Sequence, residues 1–107
     1  MDGPGMSRPV SGEKMVKIWY LYILECGDGT LYTGITDDVQ RRFLAHCQGK
    51  GAKYTRGRGP LCLRYQERCG TYSDALKREI AVKKLTRLQK LELISLNPAS
   101  ADKTSYF

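Results

Sequence analysis

Tyr22, Tyr32, Arg42, His46 and Glu79 are the side chains whose types and spacing point to chemistry. Whether the two tyrosines meet is a matter of parity, because cross-strand partners share a face of the sheet. A three-residue Gly27-Asp28-Gly29 turn pairs Cys26 with Thr30, hence Leu24 with Tyr32 and Tyr22 with Gly34, and puts both phenols on one face. A two-residue turn separates them. The Gly-Asp-Gly sequence favours the longer form, with Gly29 left-handed. Taken alone, the pair also reads as two core tyrosines.

Arg42 and His46 stand four residues apart on a helical segment, on one face beside the apolar stripe Val39-Phe43-Cys47. That placement borders the core rather than open water. Glu79 is the odd residue of a later helix. At about 100° per residue, Tyr72, Ala75, Leu76, Ile80 and Val82 form one apolar arc with Glu79 in its middle. A carboxylate there must be ion-paired, protonated or metal-bound, since burying an unpaired charge costs several kcal/mol. Lys83, one turn on, offers an ion pair as the alternative to a metal.

The segment 49–60 (GKGAKYTRGRGP) gathers Lys50, Lys53, Arg56 and Arg58 around Tyr54. Cations interleaved with an aromatic suit a nucleic-acid strand, through phosphate contacts and base stacking. A solvated basic loop is the plainer alternative.

The elements that must position these residues follow from patterning. Lys17 to Glu25 is apolar on both alternating faces, so it reads as a central strand, and Leu31 to Ile35 returns as its hairpin partner. A helix capped by Thr36 or Asp37 follows and stops at Gly49. The cationic segment reads as an extended loop, and Leu61 to Arg68 as a third strand. Ser73 is expected to cap a second helix to about Leu85, and Thr86 a third to about Leu96. The fold class is α+β, a three-stranded, mainly antiparallel sheet with helices packed on it, in the order β-β-α-β-α-α. A Gly, Pro and Ser-rich leader is expected over 1–14, one domain over 15–97 and a loose tail over 98–107.

Composition narrows the function classes. The chain has 107 residues, and eighteen Lys and Arg against eleven Asp and Glu give +7. Polyanions are therefore natural partners, with solubility as the simpler reading of the charge. Cys26, Cys47, Cys62 and Cys69 show neither CxxC nor zinc-ligand spacing, and fit reduced, half-buried thiols. No apolar run approaches the roughly 18 residues of a membrane span. A cytoplasmic protein without membrane or small-molecule ligands is expected.

With these residues in order, the sequence resembles the GIY-YIG nuclease family, most closely its small stand-alone bacterial members. Tyr20-Leu21-Tyr22 stands for the first signature and Tyr32-Thr33-Gly34 for the second, followed by Arg42, His46 and, on a later helix, Glu79. Some family members carry a lysine directly after the second signature, where this chain has Ile35. The resemblance implies hydrolysis of DNA with one magnesium or manganese ion held by Glu79, while Tyr54 in its cationic loop points to a single strand, with branched DNA as the other expected substrate. The resemblance further implies that Arg42 clamps the phosphate and that Tyr22, assisted by Tyr32, orients or deprotonates the attacking water, with His46 as the alternative base. A non-catalytic nucleic-acid-binding module is the competing expectation, and an accessory protein-binding domain a third.

Overall fold

The computed structural model describes residues 17–96, so the leader and tail expected at the two ends lie outside the described residues. Strands β1 (Trp19–Glu25) and β2 (Leu31–Thr36) form the hairpin. Helix α1 (Val39–Cys47), a 3-10 turn (Lys53–Thr55) and β3 (Cys62–Gly70) follow, then α2 (Tyr72–Lys83) and α3 (Arg87–Leu96). The sheet runs β2-β1-β3 with both pairings antiparallel. The two-sided apolar strand β1 is thus its centre, as its sequence requires.

The hairpin takes the three-residue register. Gly29 has φ +87°, Cys26 N–H donates to Thr30 O at 2.8 Å, and Leu24 faces Tyr32 while Tyr22 faces Gly34. Tyr22 and Tyr32 consequently share a face.

Each face of the sheet covers its own core. Tyr22, Leu24 and Cys26 pack with Val39 and Phe43 of α1 and with Leu61 and Leu63. On the other side Leu21 and Ile23 pack with Tyr65, Val82 of α2 and Ile94 of α3. Leu63 and Tyr65 lie two residues apart yet serve opposite cores. The cause is a register shift between Ile23 and Leu24, where β1 pairs with Tyr65 and then Leu63, and such a bulge reverses facing parity.

Three local expectations are corrected. Helix α1 is capped by Asp38, whose side chain accepts from Arg41 N–H at 3.1 Å, while Thr36 Oγ1 accepts from Asp38 N–H at 3.0 Å. Helix α2 starts from Thr71 rather than Ser73. Thr71 forms a reciprocal capping box with Asp74, both bonds 3.1 Å, whereas the residue three past Ser73 is Leu76 and cannot answer it. The apolar arc of α2 is also narrower than its composition suggests: Tyr72 and Ile80 are 52% and 57% exposed. Ala75 and Val82 face the sheet, and the half-buried positions between them are Leu76, Arg78 and Glu79. Thr86 caps α3 as expected, exchanging bonds of 3.2 and 2.9 Å with Gln89.

All four cysteines are free, two buried and two half-buried. Among the described residues no helix is long and apolar enough to cross a membrane.

Burial of β1 is the largest single stake in this arrangement. Ile23→Ala, at a position with no exposure, is expected to cost about 2–5 kcal/mol in urea unfolding. Leu88→Ala, at 77% exposure, should stay within about 0.5 kcal/mol of the parent.

Candidate nuclease site

Tyr22 is the centre of the site. It is 2% exposed, and its phenol lies so close over Gly34 that a Cβ built there would stand 2.5 Å from the hydroxyl oxygen. Only glycine leaves room for the ring at that cross-strand position. The hydroxyl meets His46 Nε2 at 2.8 Å. Tyr32 lies beside both, with ring centroids 6.3 Å from Tyr22 and 5.3 Å from His46. Arg42, one turn before His46, and Glu79 of α2 both lie close enough for their charges to act on the Tyr22 phenol.

These contacts set the proton states. Burial, then the neighbouring Tyr32 phenol, pushes Tyr22 up to about 12, against the downward pull of Arg42. Burial first and the Arg42 charge second push His46 down to about 4. At neutral pH the pair is therefore a phenol beside a neutral imidazole.

His46 lies deeper than its sequence position suggests. It is 1% exposed rather than at the border of the core, because segment 51–55 folds over it. Thr55 Oγ1 stands 2.8 Å from Nδ1 and donates to Ala52 O at 3.0 Å, while Ala52 N–H points to Nδ1 from 3.3 Å. The shorter contacts favour Nδ1–H donating to Thr55, which leaves Nε2 free to accept from Tyr22. Gly51 packs directly on the imidazole, in a space that a Cβ would share with His46 Nδ1 and Cγ. Thr55, 2% exposed, was not singled out from sequence. Its signal was being the one β-branched residue of the cationic segment.

That segment is more ordered than an extended loop, since Lys53–Thr55 forms a 3-10 turn. Lys50, Lys53 and Arg56 are exposed. Arg58 is already engaged: it bonds Asp28 at 2.6 Å and lies 4.6 Å over the Tyr54 ring. Tyr54 also stacks on Tyr32 at 5.7 Å. A nucleobase would have to share or displace these contacts.

Glu79 is 19% exposed and pairs through Oε2 with Lys83 at 3.2 Å. The ion pair weighed against a metal is thus formed, but Lys83 is 54% exposed, and such a pair is weak and readily exchanged. Among the described residues no group of three His, Cys, Asp or Glu could hold a metal. A single carboxylate whose other oxygen has no partner among the described residues still fits magnesium, which usually keeps several waters and binds through one or two carboxylates plus substrate phosphates. On the same stripe Arg78 grips Glu67 of β3 through two bonds of 2.7 and 3.2 Å, and Tyr65 hydroxyl donates to the same carboxylate. Burial pushes Glu67 up, but Arg78 and Tyr65 outweigh it and hold the carboxyl below its usual range. The sequence reading missed this clamp.

Proton linkage at His46 gives a test of its burial. The unfolded chain takes up a proton below its ordinary 6.5, whereas the folded chain does so only near 4. Stability contributed by the neutral imidazole is therefore complete above that upper value and is lost as pH falls toward the lower one, by up to about 3 kcal/mol. His46→Gln should remove this component, so the stability difference between wild type and variant, measured by urea unfolding, should shrink as pH falls through this window.

Residues 18–92 match the family described as the GIY-YIG catalytic domain. A UPF0213 protein of Cupriavidus necator is 52% identical over 82 residues, covering 77% of this chain and 89% of the relative. A UPF0213 protein of Halobacterium salinarum is 54% identical over 71 residues, covering 66% and 92%. Among solved structures, the solution NMR structure of the UPF0213 protein BH0048 from Bacillus halodurans is 47% identical, with a TM-score of 0.52 over 79% of this chain and 90% of that one. The protein EF2693 from E. faecalis is 44% identical, with a TM-score of 0.54 over 75% and 85%. By the match over residues 18–92 and the identity to its UPF0213 relatives, the chain belongs to the GIY-YIG catalytic domain family.

Proposed function

We propose that this chain is a metal-dependent endonuclease hydrolysing phosphodiester bonds of DNA, with single-stranded or branched DNA as substrate. The observation that carries this reading is the meeting at the Tyr22 phenol of His46 from α1 and Tyr32 from β2, with Arg42 and Glu79 near enough for their charges to act on it.

Arg42 binds the scissile phosphate and stabilises the charge that develops on it. Tyr32, half-buried and less enclosed than Tyr22, orients the attacking water. Tyr22 takes up the proton of that water while passing its own to His46 Nε2. A stepwise transfer through a tyrosinate runs against the upward shift of Tyr22. The two movements therefore occur together, with Thr55 holding the imidazole. The base is thus the Tyr22–His46 pair rather than either residue alone. Glu79 would hold magnesium or manganese, which when bound supplies positive charge to the phosphate and leaving oxygen. Lys50, Lys53 and Arg56 guide the strand, and the preference for single strands is drawn from Tyr54 and its cationic surroundings.

The Glu79–Lys83 pair favours a second reading, a nucleic-acid-binding module without catalysis. A cleavage panel of single-stranded, duplex, flapped and branched DNA plus RNA, with magnesium or manganese, separates the two. Glu79→Ala is expected to keep nucleic-acid binding and lose cleavage by at least about 100-fold, matching the several kcal/mol a catalytic metal contributes. An inactive wild type that still binds establishes the module instead. Lys83→Ala should leave activity at saturating metal unchanged and lower the metal concentration needed for half activity. An unchanged metal requirement would deny that the two cations compete.

A further inference from the structure

Edge strand β2 begins at a cavity of about 210 Å³ walled by Thr30, Leu31, Tyr54, Arg87 and Lys90. Three parts of the chain meet there: the hairpin return, the 3-10 turn and the first turns of α3. The cavity adjoins the tyrosine pair, because Leu31 precedes Tyr32 in the chain and Tyr54 stacks on Tyr32 at 5.7 Å.

Its walls combine an apolar side, from Leu31 and Tyr54, with two cations and, among the described residues, no acid. Arg87 is held in place by donating from Nη1 to Gly29 O at 2.6 Å, and its remaining N–H donors are available. Lys90 has no carboxylate partner among the described residues. The nearby Asp28 is neutralised by Arg58 at 2.6 Å and also accepts from Thr30 Oγ1 at 2.7 Å. Such a cavity selects an anion carried on an apolar-faced unit. Its volume is below the roughly 300–1,000 Å³ of sites that enclose a free small molecule, so it suits one unit of a longer chain.

We propose that this cavity is a nucleotide subsite beside the hydrolytic centre, in which Lys90 and Arg87 hold a backbone phosphate adjoining the cleaved one and Leu31 and Tyr54 receive its sugar or base. The substrate class rests on the nuclease reading above, whereas the subsite itself is tested by binding alone.

The test is fluorescence anisotropy of an end-labelled single-stranded oligonucleotide, titrated with the full chain in EDTA over a series of salt concentrations. Each phosphate contact contributes a slope of about 0.7 in the logarithm of affinity against the logarithm of salt. Lys90→Ala should weaken binding and reduce the slope by about that amount, and Lys90→Glu should weaken it further. Lys84→Ala, which removes a cation outside the cavity, should leave the slope unchanged. Unfolding midpoints matching the parent would establish that the Lys90 variants fold. A parental slope in both Lys90 variants overturns the subsite, even if the wild type cuts DNA. An equal fall in Lys84→Ala also overturns it, by making the effect one of overall charge. Dependence on Lys90 in a protein that cuts nothing upholds the subsite and sinks the nuclease reading alone.

Discussion

The hydrogen bond from Tyr22 to His46 is the contact around which the rest of the site is arranged. It requires a phenol from the central strand to lie flat over its neighbour, and that requirement places Gly34 in β2. It requires an imidazole turned inward from α1, and that places Gly51 and Thr55 against the ring. Burial of both partners then separates their proton affinities, phenol upward and imidazole downward. A hairpin register, a helix orientation and a loop conformation are thus all tied to one bond.

Helix α2, packed on the opposite face of the sheet, carries Glu79 by a different device. Helix α2 presents adjacent charges, Arg78 and Glu79, where an ordinary amphipathic helix would carry leucines. Arg78 is spent on Glu67, a half-buried pair reinforced by the Tyr65 hydroxyl. Removing one member of such a pair strands the other charge. The clamp therefore fixes the rotation of α2 on β3, and with it the direction in which the next residue points.

Much of this was legible from sequence because it follows from period and parity. The alternation of β1, the Gly-Asp-Gly turn and the fourfold spacing of Arg42 and His46 are local signals, and each determines a direction in space. The carboxylate on α2 could be read as exceptional for the same reason. What stayed hidden depends on long-range contacts. No local pattern shows that Thr55 reaches back nine residues to His46, or that a bulge sends Leu63 and Tyr65 to opposite cores. The exposure of Tyr72 and Ile80 likewise reflects how much of α2 the small sheet can cover, since only Ala75 and Val82 lie fully beneath it. The caps of α1 and α2 were misplaced because neighbouring residues could each serve, and the choice turned on partners such as Asp74.

The fold of segment 51–55 over His46 has a further consequence for the entropy of substrate binding. A flexible cationic loop would have to be ordered each time a strand arrived, at a cost of about 1–2 kcal/mol for every residue immobilised. Here the bond from the imidazole to Thr55 and the packing of Ala52 N–H against the ring restrict the base of the loop when the domain folds. Lys53, Tyr54 and Arg56 flank that anchor, so their backbone is held before any strand binds. On the nuclease reading proposed above, more of their contact free energy would be left to position the phosphate.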